Sequence, residues 1–146
     1  PLKSHTKGSA MDELFAHIGL LRQLDEVHDL KRAVMRREAE GATGLGHGVA
    51  MAHGKCASLA DIYLFLGVSY DGIEYGAYDG EPVNLLFIVA NPPQMQRLYL
   101  DLISHLMRNL MHPPFRRRLM GCEPHIIREI LLQVLRLEGR NLPLSA

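Results

Sequence analysis

The sequence is short of cysteine, of net charge and of long apolar runs, and each shortage removes a class of protein. The two cysteines, Cys56 and Cys122, form no spaced framework. That argues against a disulfide-stapled secreted domain and for a reducing cytosol. Sixteen Lys and Arg balance sixteen Asp and Glu, giving a formal charge of zero. No global basic field draws nucleic acid, and no polybasic patch points to a membrane surface. No run approaches the roughly 20 apolar residues that cross a bilayer, and no signal-peptide pattern opens the chain. Internal repeats and low-complexity tracts are missing too. What remains is 146 residues, 47% apolar and 22% charged, the composition of one globular domain with one core. The chain opens Pro-Leu-Lys-Ser with no initiator Met, which reads as a fragment lacking a short leading segment.

Apolar spacing predicts helices at both ends and strands between them. Leu14, Ile18 and Leu21 mark a helix over Lys7 to Leu21, and Val27, Leu30 and Val34 mark a second over Asp25 to Glu40, stopped by Gly41. Ile62 to Val68 and Val83 to Ala90 are apolar runs without alternation, which suggests strands covered on both faces. Asp71-Gly72 and Asp79-Gly80 read as turns. From Gln94 the period becomes helical again. Met95, Leu98, Leu102, Leu106 and Leu110 form a stripe, with Ile103 and Met107 beside it. Pro113-Pro114 breaks that helix and starts a short one through Met120. A last helix runs from Pro124 to Leu137 on Ile127, Ile130, Leu131, Val134 and Leu135, and the tail after Glu138 reads as frayed. This order predicts a layered α/β domain over residues 1–146.

The stretch Thr43 to Lys55 packs four glycines and two histidines into thirteen residues. Glycine is unfavourable inside regular elements, so such a cluster marks a backbone that turns sharply or lies close to something. The run Val49-Ala50-Met51 leads into His53-Gly54. A histidine just past a short buried strand, beside a glycine, can offer its imidazole to an incoming group. That is the geometry a nucleophile needs.

Taken together, Arg37-Glu38, Thr43-Gly44-Leu45-Gly46 and Gly48-Val49-Ala50-Met51-Ala52-His53-Gly54 resemble the active-site signature of phosphotransferase-system enzyme IIA proteins. The branch is the fructose/mannitol one, which includes the nitrogen-regulatory phosphocarriers. Gly72-Ile73, Ala77, Asp79-Gly80, Pro82-Val83, Leu85 and Phe87 to Ala90 continue the agreement, as do Pro114-Phe115-Arg116 and Leu119. The resemblance implies a three-layer α/β sandwich, with a mixed sheet of about five strands flanked by helices on both sides. It implies that His53 accepts a phosphoryl group from the phosphohistidine of the carrier HPr or a paralogue. His53 then passes the group to a IIB domain or holds it as a regulatory signal. Arg37, sixteen residues before His53, falls where the family places a phosphate-binding arginine. A planar guanidinium bonds phosphate oxygens in pairs. No metal or organic cofactor is implied.

Three positions depart from the family pattern. Ala52 stands where proline is usual, and His47 where asparagine or an acid is usual. The family's second active-site histidine falls at Tyr99, whose hydroxyl donates a hydrogen bond but stays neutral at pH 7. His47 is the candidate substitute, on the expectation that the chain folds tightly between it and His53. The plainer readings are that Arg37 is a solvated helix charge beside Glu38 or Glu40, that His47 is structural or exposed, and that Tyr99 is a core-edge aromatic with a wet hydroxyl. A zinc site of His47, His53 and Cys56 lacks a fourth ligand and a recognised spacing. His105, His112 and His125 have no partner pattern.

Two functions follow as expectations. One is a cytoplasmic phosphoryl carrier, with the nitrogen-regulatory type favoured because no IIB, IIC or HPr sequence is fused in this chain. The other is a non-transferring regulatory module of the same family that binds a protein target.

Overall fold

Eleven residues of continuous strand, Tyr63–Ile73, pair with nine, Val83–Asn91, and these two runs frame the sheet. A computed structural model describes residues 1–21 and 26–136 of the chain. The expected helix start at Asp25, the helix end at Leu137 and the tail after Glu138 lie outside those residues. The elements are α1 (Lys7–Leu21), α2 (Val27–Glu40), β1 (Gly44–Gly46), β2 (Val49–Lys55), β3 (Tyr63–Ile73) and β4 (Val83–Asn91). A 3-10 turn (Pro93–Met95), α3 (Gln96–Leu110), α4 (Pro113–Gly121) and α5 (Pro124–Arg136) complete the order. Two compact units divide the chain, Pro1–Gln96 and Arg97–Ala146.

The first unit holds a sheet in the order β1-β2-β4-β3. β2 and β4 run parallel, while β1 and β3 pair antiparallel to their neighbours. The expected α/β class with a mixed sheet holds, with four strands among the described residues in place of about five. α2 lies on β2, and α1 lies on α2 and β3. Ala50, Ala52, Leu86, Ile88 and Ala90 join Met11, Leu14, Ile18, Leu30 and Val34 in one apolar cluster. The alternate residues Val49, Met51, Leu85, Phe87 and Val89 are buried too, so β2 and β4 are covered on both faces.

β3 departs from that expectation. Tyr63 to Leu66 are only half-buried, because β3 is the last strand of the sheet. Its open side is met by the leading segment, through Leu2 N–H to Val68 O (2.7 Å) and Glu74 N–H to His5 O (2.7 Å). Pairing of this kind blunts a bare sheet edge. Asp71-Gly72 is not a turn. The pair lies inside β3, where the register slips between Val68 and Ile73. Gly72 has φ of 87°, its N–H donates to Ser69 Oγ at 3.1 Å, and a Cβ there would sit 2.8 Å from Pro82 Cβ. A bulge needs the same residue types as a turn, hence the misreading. Asp79-Gly80 does turn, closed by Gly80 N–H to Ala77 O at 3.0 Å.

The second unit, in its described part, is helical. In α3 the buried residues are Tyr99, Leu106 and Leu110, whereas Leu98, Leu102, Ile103 and Met107 are half-buried. The buried stripe is therefore turned toward Tyr99 from the expected leucine row. In α5, Ile130, Leu131 and Val134 are buried as the spacing predicts.

The bulge makes a test. Gly72→Ala adds a Cβ at positive φ against a proline ring, which should cost about 2 kcal/mol in urea unfolding. A loss below about 0.5 kcal/mol would mean that β3 runs straight through Asp71 and Gly72.

Candidate functional site

β1 pairs with β2 only at Val49 and Ala50, and the last contact on that side is Met51 N–H to Thr43 O at 3.0 Å. Beyond it, β2 has a strand neighbour on the β4 side alone. His53 sits in this overhanging end, in register with Val89. Side chains alternate along a strand. Val49, Met51 and His53 therefore share one face, while Ala50, Ala52 and Gly54 share the face that meets α2. Gly54 is needed there. A Cβ would lie 2.8 Å from Val34 N and 2.9 Å from the Ala33 carbonyl carbon. This close approach sets the last turn of α2, with Arg37, beside the end of β2.

The His53 ring is half-buried, and its pKa is lowered. Burial is the largest cause, followed by the positive charges of Arg37 and Lys55; Glu38 and Glu40 pull the other way. The ring is thus neutral near pH 7, with a lone pair on one nitrogen. Arg37 is half-exposed, and its Nη1 donates to Gly41 O at 3.3 Å, a contact with the chain leaving the helix. The structure brings the expected nucleophile and the expected cation into electrostatic reach of each other.

His47 is elsewhere, which overturns the expectation of a tight fold between the histidines. It occupies the turn between β1 and β2 at φ 55°, with its N–H on Asp79 Oδ2 at 2.8 Å. From Val49 to His53 the chain is extended, about 13 Å at roughly 3.3 Å per residue. The two imidazoles therefore lie toward opposite ends of β2. A shared zinc site of His47, His53 and Cys56 fails for the same reason. Cys56 is buried, with Sγ 3.1 Å from Ser58 Oγ. Among the described residues no group of three His, Cys, Asp or Glu is placed to hold a metal. Tyr99 belongs to the second unit, in the first turn of α3, and is 6% exposed, deeper than a core-edge position.

The sequence reading missed what Glu38 does. Its carboxylate does not pair with Arg37; it is buried, with its side chain 2% exposed. Oε1 accepts hydrogen bonds from Thr43 Oγ1 and from Tyr75 OH, the latter at 2.9 Å. Lys7 Nζ stands 2.5 Å from Oε2 and 5.0 Å from the centre of the Tyr75 ring. Burial first, and then the adjacent carboxylate, push the Tyr75 hydroxyl well above the ordinary tyrosine range, while Thr43 opposes them. Nothing local announces this cluster, since a glutamate on a charged helix usually faces water.

The chain matches, over residues 2–134, the family described as phosphoenolpyruvate-dependent sugar phosphotransferase system, EIIA 2. It belongs to that family, whose members are components of a phosphotransferase system. It is 30% identical over 122 residues to the PTS system fructose-specific EIIABC component of Bacillus subtilis, covering 84% of this chain and 19% of that one. Identity to the PTS system fructose-specific EIIA component of Haloferax volcanii is 31% over 103 residues, covering 70% of this chain and 67% of the other. The crystal structure of the nitrogen regulatory protein IIA-Ntr from Neisseria meningitidis superposes with a TM-score of 0.78 at 26% identity, covering 92% and 89% of the two chains. The chain thus spans about a fifth of the Bacillus relative and two thirds of the Haloferax one. Among the described residues no helix is long and apolar enough to cross a membrane.

The pairing of His53 with Arg37 is open to titration. Arg37→Gln should raise the His53 midpoint, followed by NMR of the ring protons. It should not bring it to that of an exposed histidine, because burial is the larger cause. An unmoved midpoint would place the guanidinium out of reach.

Proposed function

We propose that this chain is a cytoplasmic phosphoryl carrier of the phosphoenolpyruvate-dependent system, with His53 as the acceptor. The observation that carries the reading is one half-buried imidazole, held neutral at the overhanging end of β2, beside the charge of Arg37. The donor is the phosphohistidine of an HPr-like carrier. A lone-pair nitrogen of His53 forms a new bond to phosphorus as the donor's P–N bond breaks, and that bonding pair returns to the donor imidazole. Phosphoryl transfer of this kind asks for alignment and positive charge rather than covalent help. Arg37 suits the equatorial oxygens because its fork offers paired donors. Lys55 adds positive charge at the strand's end. From His53 the group passes to a IIB domain or stays as a signal to a regulatory target. The likeness to a nitrogen regulatory protein supports the regulatory destination.

A second reading is a module that binds its target without turnover. It is supported by Tyr99, which leaves this chain without a second imidazole at the position where the family carries one. Tyr99→His separates the two readings. The carrier reading expects the phosphorylation rate to change by less than about threefold, whereas a gain above about tenfold would indicate a chain tuned away from flux.

Incubation with phosphoenolpyruvate, enzyme I and HPr should add one acid-labile phosphoryl group by intact mass. His53→Ala should abolish it. Arg37→Ala should slow it about 100-fold, the scale for losing one preorganised donor, with the unfolding midpoint unchanged. The parental rate should fall as pH drops through the lowered His53 midpoint, since protonation consumes the lone pair. Label surviving in the His53 variant would assign the acceptor elsewhere.

A further inference from the structure

We infer that Lys7 is a positioning residue for phosphoryl acceptance, acting through Glu38: its ammonium cancels a buried carboxylate that would otherwise oppose an anion at His53. The inference rests on the carrier reading of His53. Within the first unit, the charges that act on the ring are Arg37 and Lys55 on one side and Glu38 and Glu40 on the other. The two positive charges act on it more strongly than the two negative ones. A phosphoryl group arrives with about two negative charges, so a carboxylate left uncancelled there would work against it.

Glu38 and Glu40 differ in kind. Glu40 is exposed and screened by water, while the Glu38 side chain is 2% exposed and its field is carried through protein. Among the described residues, the two hydroxyls of Thr43 and Tyr75 meet Oε1 alone, and Oε2 has no hydrogen-bond partner. What meets Oε2 is the charge of Lys7 Nζ at 2.5 Å. Lys7 is itself held, its N–H on Glu74 O at 3.1 Å and its ammonium over the Tyr75 ring. It opens α1 where the leading segment leaves the edge of β3, so an element remote in sequence completes the charge pattern beside α2.

A second consequence concerns Arg37. Neighbouring helical residues of opposite charge do pair in this chain, as Arg128 Nη1 and Glu129 Oε1 at 3.5 Å show. With its carboxylate turned inward and occupied, Glu38 does not draw Arg37 in the same way. Without Lys7, Oε2 loses the ammonium set against it, while both hydroxyls still meet Oε1.

The test compares Lys7→Met, Lys7→Arg and the double variant Lys7→Met/Glu38→Gln. The double removes both charges and keeps an acceptor for Thr43 and Tyr75. Two quantities are read: the initial rate of phosphorylation from phosphoenolpyruvate, enzyme I and HPr at pH 7.5, and the His53 midpoint by NMR. Lys7→Met should slow transfer at least tenfold and raise the His53 midpoint. Lys7→Arg and the double should return both to within about threefold and to the parental midpoint. If Lys7→Met does not fold, Lys7→Arg and the double still decide. A double variant at least tenfold slower than the parent means that Lys7 meets the phosphoryl group or its donor directly, which overturns the inference. So does a His53 midpoint that ignores Lys7→Met. Should the parental chain take no phosphoryl group, the carrier reading fails, and the midpoints alone decide whether Lys7 sets the charge at His53.

Discussion

Everything at the site depends on how closely α2 lies on β2. The backbone of Ala33 and Val34 fills the space that a side chain at Gly54 would need, so helix and strand meet at van der Waals distance. That contact is two residues wide, one turn before Arg37 and one residue after His53. The separation of the backbones that carry His53 and Arg37 is therefore set by direct packing of helix on strand. Interiors packed this densely transmit small displacements. A shift of α2 along β2 would move Arg37 and leave His53 where it is.

The same helix is fixed at its end by a different kind of force. Close packing at Gly54 is apolar and non-directional, whereas the Glu38 carboxylate is bound by two hydroxyls and one ammonium. Burying a carboxylate is costly, and pairing seldom does more than offset the cost. What it gives in return is direction. Thr43 leads into β1, Tyr75 follows β3 and Lys7 opens α1. One side chain thus joins three segments, from the position next to Arg37 on α2.

How much of this could be read from residues alone follows from the range of the forces involved. Periodicity is local, so α1 and α2 were legible in Leu14, Ile18, Leu30 and Val34, and β4 in its unbroken apolar run. β1 was not legible, because Gly44-Leu45-Gly46 has no strand formers and is held by its pairing with β2. The place of His53 near the end of a short buried strand was legible because its neighbours carry the signal, an apolar run before it and a glycine after it. His47 was misread because closeness in sequence was taken for closeness in space. Six residues that turn stay together, but six that extend along a strand do not. Glu38 was illegible because its three partners lie 5, 31 and 37 residues away in sequence. Only the fold supplies them.

The resemblance implies a histidine at position 99, and the buried tyrosine that stands there is chemically nearer to one than it looks on paper. Position 99 is 6% exposed. Burial disfavours the charged form of an imidazole, so a histidine at such a position would itself be held neutral near pH 7. A neutral imidazole offers one N–H donor and one acceptor nitrogen, and a tyrosine offers one O–H donor and an oxygen that accepts. Either side chain would be neutral there and would offer one donor. What changes is reach, since the phenol carries its polar atom farther from the backbone at the end of a rigid ring. A helix whose buried stripe has turned toward Tyr99 rather than Leu98 is the structural counterpart of that difference. The apolar body of the ring takes part in the packing, and the phenol adds one polar atom at its tip.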